Sequence, residues 1–418
     1  MMISPRHPAG RFTAVAGARK LVARPSRNKV LTRDRMKYEN VFIESLGYTL
    51  PDEIVTSDQI EARLEPLYRR LGLPEGRLEL MTGIRQRRMW PADTLPGDVS
   101  VRSGQRAIAA ADFARDRIGA LVHGSVCRDH LEPATASRVH HELGLSEACL
   151  VYDVSNACLG ILNGIVQVAN MIELGQIESG LVVGTENARP LLETTIDALN
   201  ADTTLTRDTI KSAVASLTIG SGSAAVLLAN RAISRTGNRL LAATASAHTA
   251  AHRLCHSDHD QAAAGGMAPL MATDSEQLMR EGIAAGAATF ARFLDETGWT
   301  HTSVHKTFCH QVGAAHRKLM LESLALKPAN DFATFATLGN TGSVALPLTM
   351  ALGGKSGHLM PGDHAALLGI GSGINVLMLA VDWQRSPVSA PDVQSFANGE
   401  GAADGDVASP ATAARSIR

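Results

Sequence analysis

The chain has 418 residues, 45% of them apolar and 19% charged, with a formal net charge of −1. This composition supports a large core in two domains or one duplicated one, and gives no electrostatic case for nucleic acid or an anionic membrane surface. The five cysteines (127, 149, 158, 255, 309) are widely spaced without a CxxC pair, which points to reduced thiols in a cytoplasm, and no run of about 18 purely apolar residues predicts a membrane span.

Residues 1–36 read as a disordered basic leader, since residues 1–35 hold nine Lys/Arg against one acid with scattered Pro, Gly and Ser. From residue 37 strand and helix alternate. Strands are predicted at 120–122, 150–154, 180–183, 224–228, 307–309 and 365–368, with helices over 103–115, 134–143, 159–174 and 275–297. Such alternation argues for an α/β layered fold. Residues 385–418 are rich in Ala, Gly, Ser, Pro and Asp. They lack the apolar surface to offset chain entropy and read as a disordered tail.

Cys158 lies in Asp153-Val-Ser-Asn-Ala-Cys-Leu-Gly160, between a buried strand and a helix with no charge before Glu173. A cysteine there faces the positive helix end, which favours thiolate. Taken alone, a buried structural cysteine is an equal reading. Further on, 219–229 (IGSGSAAVLLA) resembles 370–380 (IGSGINVLMLA) without a gap. Two glycine turns entering like strands predict a duplicated fold, with halves 37–230 and 231–384.

The second half adds partners for a nucleophile. His310 ends a short apolar strand, and Asn340 sits in a glycine turn before an apolar helix. Both side chains can donate to an oxygen. Gly371-Ser-Gly373 offers backbone N–H groups. Each piece has a bland reading, as a surface histidine or a common turn; the order Cys, His, Asn, Gly-Ser-Gly is what carries weight.

On those motifs, and on Thr82-Gly-Ile-Arg-Gln-Arg-Arg88, residues 37–383 resemble the thiolase superfamily, in particular its ketoacyl synthase III-like condensing enzymes. The resemblance implies a five-layered αβαβα fold from two duplicated halves, a homodimer, and catalysis by Cys158, His310 and Asn340, with backbone N–H of Cys158 and Ser372 as an oxyanion site. Leu131-Glu-Pro133 is similar to the OleA family, which condenses two fatty acyl-CoAs head to head. That likeness implies that Glu132 crosses the dimer to act as base. Its competing reading is a helix-start carboxylate.

Met81 stands where malonyl-using relatives often carry arginine. Residues 189–215 look like an insertion capping the pocket. His248, His252, Cys255, His256 and His259 have a metal-like composition, but the family uses no metal, and a polar loop is expected there.

The expected reaction is a non-decarboxylative Claisen condensation through an acyl-Cys158 intermediate, with acyl-CoA or acyl carrier protein as donor. No cofactor and no metal are expected, and downstream pathway enzymes are the expected further partners. Three alternatives stay open: a decarboxylative synthase III using a malonyl extender, a chain-joining polyketide ketosynthase, and a non-catalytic partner subunit.

Overall fold

A computed structural model describes residues 36–257 and 270–389. The apolar segments of the first part pair as β1 (Val41–Thr49), β2 (Ala120–Gly124), β3 (Leu150–Val154), β4 (Ser179–Glu186) and β5 (Gly222–Asn230). Their order is β3-β2-β4-β5-β1, with β2 parallel to β3 and β4, and β5 antiparallel to both β4 and β1.

The second part repeats the pattern with β6 (Arg239–Ala247), β7 (Lys306–Cys309), β8 (Asp363–Gly371) and β9 (Asn375–Trp383), in the order β7-β8-β9-β6. Outside β7, Asp331 bridges Thr307 in parallel, at the place β3 holds in the first part. Read by rank, both sheets run third, second, fourth, fifth, first. They are joined where β1 meets β6 through Phe42 and Arg239.

Helices α1 (Pro96–Ala111) and α2 (Thr135–Leu143) cover the outer face of the first sheet. After them, α3 (Gly160–Glu173) and α4 (Arg189–Ala201) belong to the first part, and α5 (Ser275–Thr297), α6 (Ala314–Ser323) and α7 (Ala345–Lys355) to the second. Helix α5 covers the outer face of the second sheet, with α6 packed beside it. Between the sheets lie α3 and α7, and α7 touches strands of both. The result is five layers, α-β-α-β-α. A helix in a middle layer must be apolar nearly all round. Accordingly Ile161, Leu162, Ile165, Val168 and Ile172 of α3 are buried, each contributing about 1.5–3 kcal/mol.

Local signals explain most boundaries. Helix α5 starts with the Asp274 side chain accepting from Gln277 N–H and stops at left-handed Gly298, over the predicted span. Helix α1 begins seven residues before its predicted start, because Pro96 opens the first turn, where its missing N–H costs nothing. It stops at Asp112, whose φ of 46° ends the helical path. Strand β1 is hidden from an apolar count by Glu44, whose carboxylate is buried and accepts from Arg235 N–H at 3.0 Å and from the Ser234 hydroxyl at 2.6 Å.

The tail expectation is corrected at its start. Asn238 accepts from Gln384 N–H and Arg385 N–H and donates to Arg385 O, and Val388 and Ser389 pair with Leu46 and Gly47 of β1. These contacts run largely through backbone, which composition does not register. At the other end, Met36 and Lys37 pair with β6. Residues 1–35 and 390–418 lie outside the described residues, so the rest of the leader and tail expectations do too.

Candidate active site

Cys158 stands in the turn from β3 to α3. Ala157 before it has a φ of 45°, a left-handed conformation that costs a non-glycine residue on the order of 1–2 kcal/mol. Asn156 holds the turn from both sides: its Nδ2 donates to Asn163 of α3 at 2.8 Å, and its Oδ1 accepts from Asn375 of β9 at 3.1 Å. Behind it, Gly124 at the end of β2 meets Gly160 backbone to backbone. A Cβ built on Gly124 would lie 2.6 Å from the Gly160 carbonyl carbon, so only glycine lets the helix head sit this close.

His310 follows β7, its N–H bonded to Leu368 O at 3.1 Å. Burial, with His316 adding, lowers its pKa to about 3, so the ring is neutral at physiological pH. Its Nδ1 is buried without a partner among the described residues. An orphaned N–H costs more than an orphaned acceptor, so the ring proton belongs on Nε2, making that atom a donor. Gln311 locks the strand end to the next segment: its Oε1 accepts from Thr334 N–H at 2.6 Å and Phe335 N–H at 2.8 Å, and its Nε2 donates to Phe332 O at 3.0 Å.

That segment leads into Asn340. The Asn340 backbone is tied to Thr218 O and Gly220 N–H, and its Oδ1 accepts from Gly342 N–H at 3.0 Å. With the amide oxygen engaged, Nδ2 is the end left to donate.

Cys158, His310, Asn340, Gly371 and Ser372 line one cavity of about 300 Å³. Its walls are mostly apolar, among them Val214, Met271, Leu278, Met279 and Ile370. Val214 and Ala215, at the end of the 189–215 segment expected to cap the pocket, are part of the wall, and Thr218 just beyond joins them.

The proton on Cys158 differs from expectation. Burial, with Glu186 and Cys255 adding, pushes its thiol up to about 12, so the side chain is a thiol at neutral pH. Glu186 ends β4 and accepts from Ser343 N–H and Val126 N–H, each at 3.3 Å, and from the Ser343 hydroxyl. It thereby ties the Asn340 loop to the first sheet.

Glu132 is exposed and is not among the described residues lining the cavity of its own chain. Its loop is anchored on both sides. Asp129 accepts from Gly97 N–H and Arg138 Nε, both at 2.8 Å, and Asp153 accepts from Thr135 and Ala136 N–H at the head of α2, both at 2.9 Å.

Three cavity neighbours were not singled out by sequence reasoning: Glu186, His316, and Cys255 as a residue facing Cys158. Glu186 reads as a strand end and His316 as a helix-surface residue, so neither carried a signal. Cys255 was grouped with the histidines. Instead it faces the cavity, its sulfur accepting from the Thr273 hydroxyl at 3.4 Å. No group of three or more His, Cys, Asp or Glu is disposed to hold a metal among the described residues, and His259 lies outside them. Nor is any described helix long and apolar enough to cross a membrane.

Two sheets of identical strand order, stacked about central helices with a cysteine leading into one and an asparagine leading into the other, are the layout of the thiolase fold; the chain is a condensing acyltransferase of that superfamily. Residues 80–264 match the thiolase N-terminal domain, and residues 294–383 match the 3-oxoacyl-[acyl-carrier-protein] synthase III C-terminal domain. The chain is 41% identical to the acyl-CoA:acyl-CoA alkyltransferase of Shewanella oneidensis and 33% identical to that of Xanthomonas campestris, each match covering 83% of this chain and 100% of the relative. A solved cysteine-to-serine variant of Xanthomonas campestris OleA, with bound lauric acid and lauroyl-CoA, aligns at 32% identity and a TM-score of 0.77 over 83% of this chain and 100% of that one. The chain belongs to this family of acyl-CoA:acyl-CoA alkyltransferases.

Proposed function

We propose that the protein joins two fatty acyl-CoA molecules head to head, through an acyl-Cys158 intermediate and with Glu132 of a second copy as base. The observation that carries this reading is the content of the cavity: a cysteine, two neutral donors and apolar walls, with Glu132 exposed on the outside of the same chain.

In the first half-reaction the Cys158 sulfur attacks the thioester carbonyl. The oxyanion sits against backbone N–H of Cys158 and Ser372, the C–S bond to CoA breaks, and CoA leaves with the proton from Cys158. A second acyl-CoA then binds with its thioester oxygen against His310 Nε2–H and Asn340 Nδ2. Glu132 removes its α-proton, an unactivated one that needs a base. The resulting carbanion attacks the acyl-Cys158 carbonyl, and the Cys158 sulfur leaves and is reprotonated. The product is a 2-alkyl-3-ketoacyl thioester or the derived β-keto acid.

Solved variants of OleA include changes at a cysteine and at a glutamate, and the interval between those two positions equals that from Glu132 to Cys158. Lauroyl-CoA bound to that relative supports CoA over acyl carrier protein as donor. A polar depression shares Met81, Val214, Thr273 and Ser275 with the cavity and is lined also by Lys211, Arg253 and His256 together with Asp208, Asp274 and Glu276. The reading includes a homodimer, halves meeting near residue 230, and a cytoplasmic site, the last supported by five free cysteines.

The decarboxylative alternative keeps weight from the synthase III match over 294–383. Purified protein given myristoyl-CoA alone is expected to yield the 28-carbon condensation product by mass spectrometry. Product formed only when malonyl-carrier protein is added would replace this reading with the decarboxylative one.

A further inference from the structure

His316 lies in the first turn of α6 and lines the same cavity as Cys158, His310 and Asn340. The mechanism above gives it no task. Its Nδ1 is sealed off without a partner, and its Nε2 makes no hydrogen bond among the described residues. Burial holds its pKa down to about 4, so this ring, like His310, is neutral. The tautomer argument is also the same: with Nδ1 orphaned, the proton sits on Nε2, and that N–H is the one free to face the cavity. A buried polar group left unmatched by the fold is most readily explained by a ligand that matches it.

The backbone fixes where the ring stands. A Cβ on Gly313 would lie 2.8 Å from Thr82 O, and one on Gly83 would lie 2.7 Å from the Ala314 Cβ. The head of α6 is thus wedged against the 81–83 turn. Met81 of that turn is 45% exposed while lining the cavity, so the cavity opens there. His316 therefore lines the cavity close to that turn, and near enough to His310 to act on its charge.

An N–H donor there requires an acceptor, and the apolar walls favour a neutral one. The thioester oxygen is already matched by His310 and Asn340. The next acceptor along a CoA thioester is the amide carbonyl of the pantetheine arm, which follows two methylenes and the amide nitrogen after sulfur. We propose that His316 is a substrate-binding residue whose Nε2–H donates to this first pantetheine amide carbonyl, so that His310 and His316 grip successive carbonyls of one ligand. The inference rests on the reading of the cavity as an acyl-CoA site.

The test compares two myristoyl thioesters of equal length, that of N-acetylcysteamine, which keeps the amide, and that of pentanethiol, which lacks it. Thiol release in the acylation of Cys158 is followed for each. The unmodified protein is expected to favour the amide thioester by about tenfold in kcat/KM, as one matched neutral hydrogen bond allows. His316→Leu should bring the amide thioester down toward the pentyl level, with thermal unfolding of the variant reporting its folding separately. His316→Gln, which keeps a donor, should recover part of the preference. Equal losses on both thioesters, or a preference that survives His316→Leu, would overturn the assignment. Release from neither thioester by the unmodified protein would instead remove the acyl-thioester reading, and the inference with it.

Discussion

The two halves share one strand order but fill equivalent loops with different chemistry. After the third-rank strand, the first half enters α3 through Cys158 and the second enters α7 through Asn340. After the second-rank strand, the first half runs past Glu132 into α2, and the second runs past His310 into α6. On the proposed mechanism the first half carries the groups that exchange protons or attack, and the second carries neutral donors. A duplicated sheet supplies matching loop ends at no extra structural cost, and the side chains placed there divide the labour.

The largest expected effect tests the nucleophile of the first half. Cys158→Ala should eliminate the acyl adduct seen by intact-protein mass spectrometry and lower turnover by on the order of a millionfold. Replacing Cys127, Cys149, Cys255 or Cys309 singly should leave the adduct in place. An adduct surviving Cys158→Ala would move the nucleophile elsewhere.

Next comes the carboxylate of the first half. Glu132→Ala should release one equivalent of CoA in a burst and then stop, with turnover down by roughly 10²–10⁴. Mixed with Cys158→Ala, it should regain activity, because one site of the heterodimer then holds both groups. Steady turnover by Glu132→Ala alone would favour decarboxylative chemistry.

A smaller, graded effect concerns charge. The folded Cys158 thiol titrates at about 12 instead of its ordinary 9.0, so thiolate is scarce below that pH and grows about tenfold per unit. Alkylation of Cys158 by iodoacetamide should therefore keep rising between pH 7 and 11, where an exposed thiol levels off above 9. A plateau near neutral pH would restore the expectation drawn from the helix end.

The smallest effects compare two aspartates at matching places. Asp153 caps α2 in the first half. In the second, Asp331 is buried and accepts from Arg317 Nε of α6 at 2.6 Å and from the Thr307 hydroxyl at 3.1 Å. Asp331→Ala removes the buried partner of the Arg317 guanidinium and should cost about 3 kcal/mol; Asp153→Ala removes a cap and should cost about 1–2 kcal/mol. Thermal unfolding of the two variants gives the ranking, and the reverse order would contradict it.

Much of this was legible in the sequence because apolar runs and glycine turns are local. The span of α3, the repeat at 219 and 370, and the sequence Cys158, His310, Asn340 each need only neighbouring residues to be seen. What escaped depends on distant partners. Strand β1 hides behind Glu44, whose burial requires Ser234 and Arg235. The proton on Cys158 depends on Glu186 and on depth, which a motif does not contain. Arg385 is held by Asn238 and residues 388–389 by β1, all far back in the chain, and His316 gains meaning only once α6 is set against the 81–83 turn.

The contact of Gly124 with Gly160 bears on how such a protein can change over generations. Any side chain at either place would lift the head of α3 off the first sheet and carry the sulfur away from the carbonyl it must reach. Those two letters are therefore barred from drifting while the reaction is kept. Met81, at the cavity mouth, meets no such bar. Novelty in what enters has room to arise at the rim, while the reach of the sulfur is inherited intact.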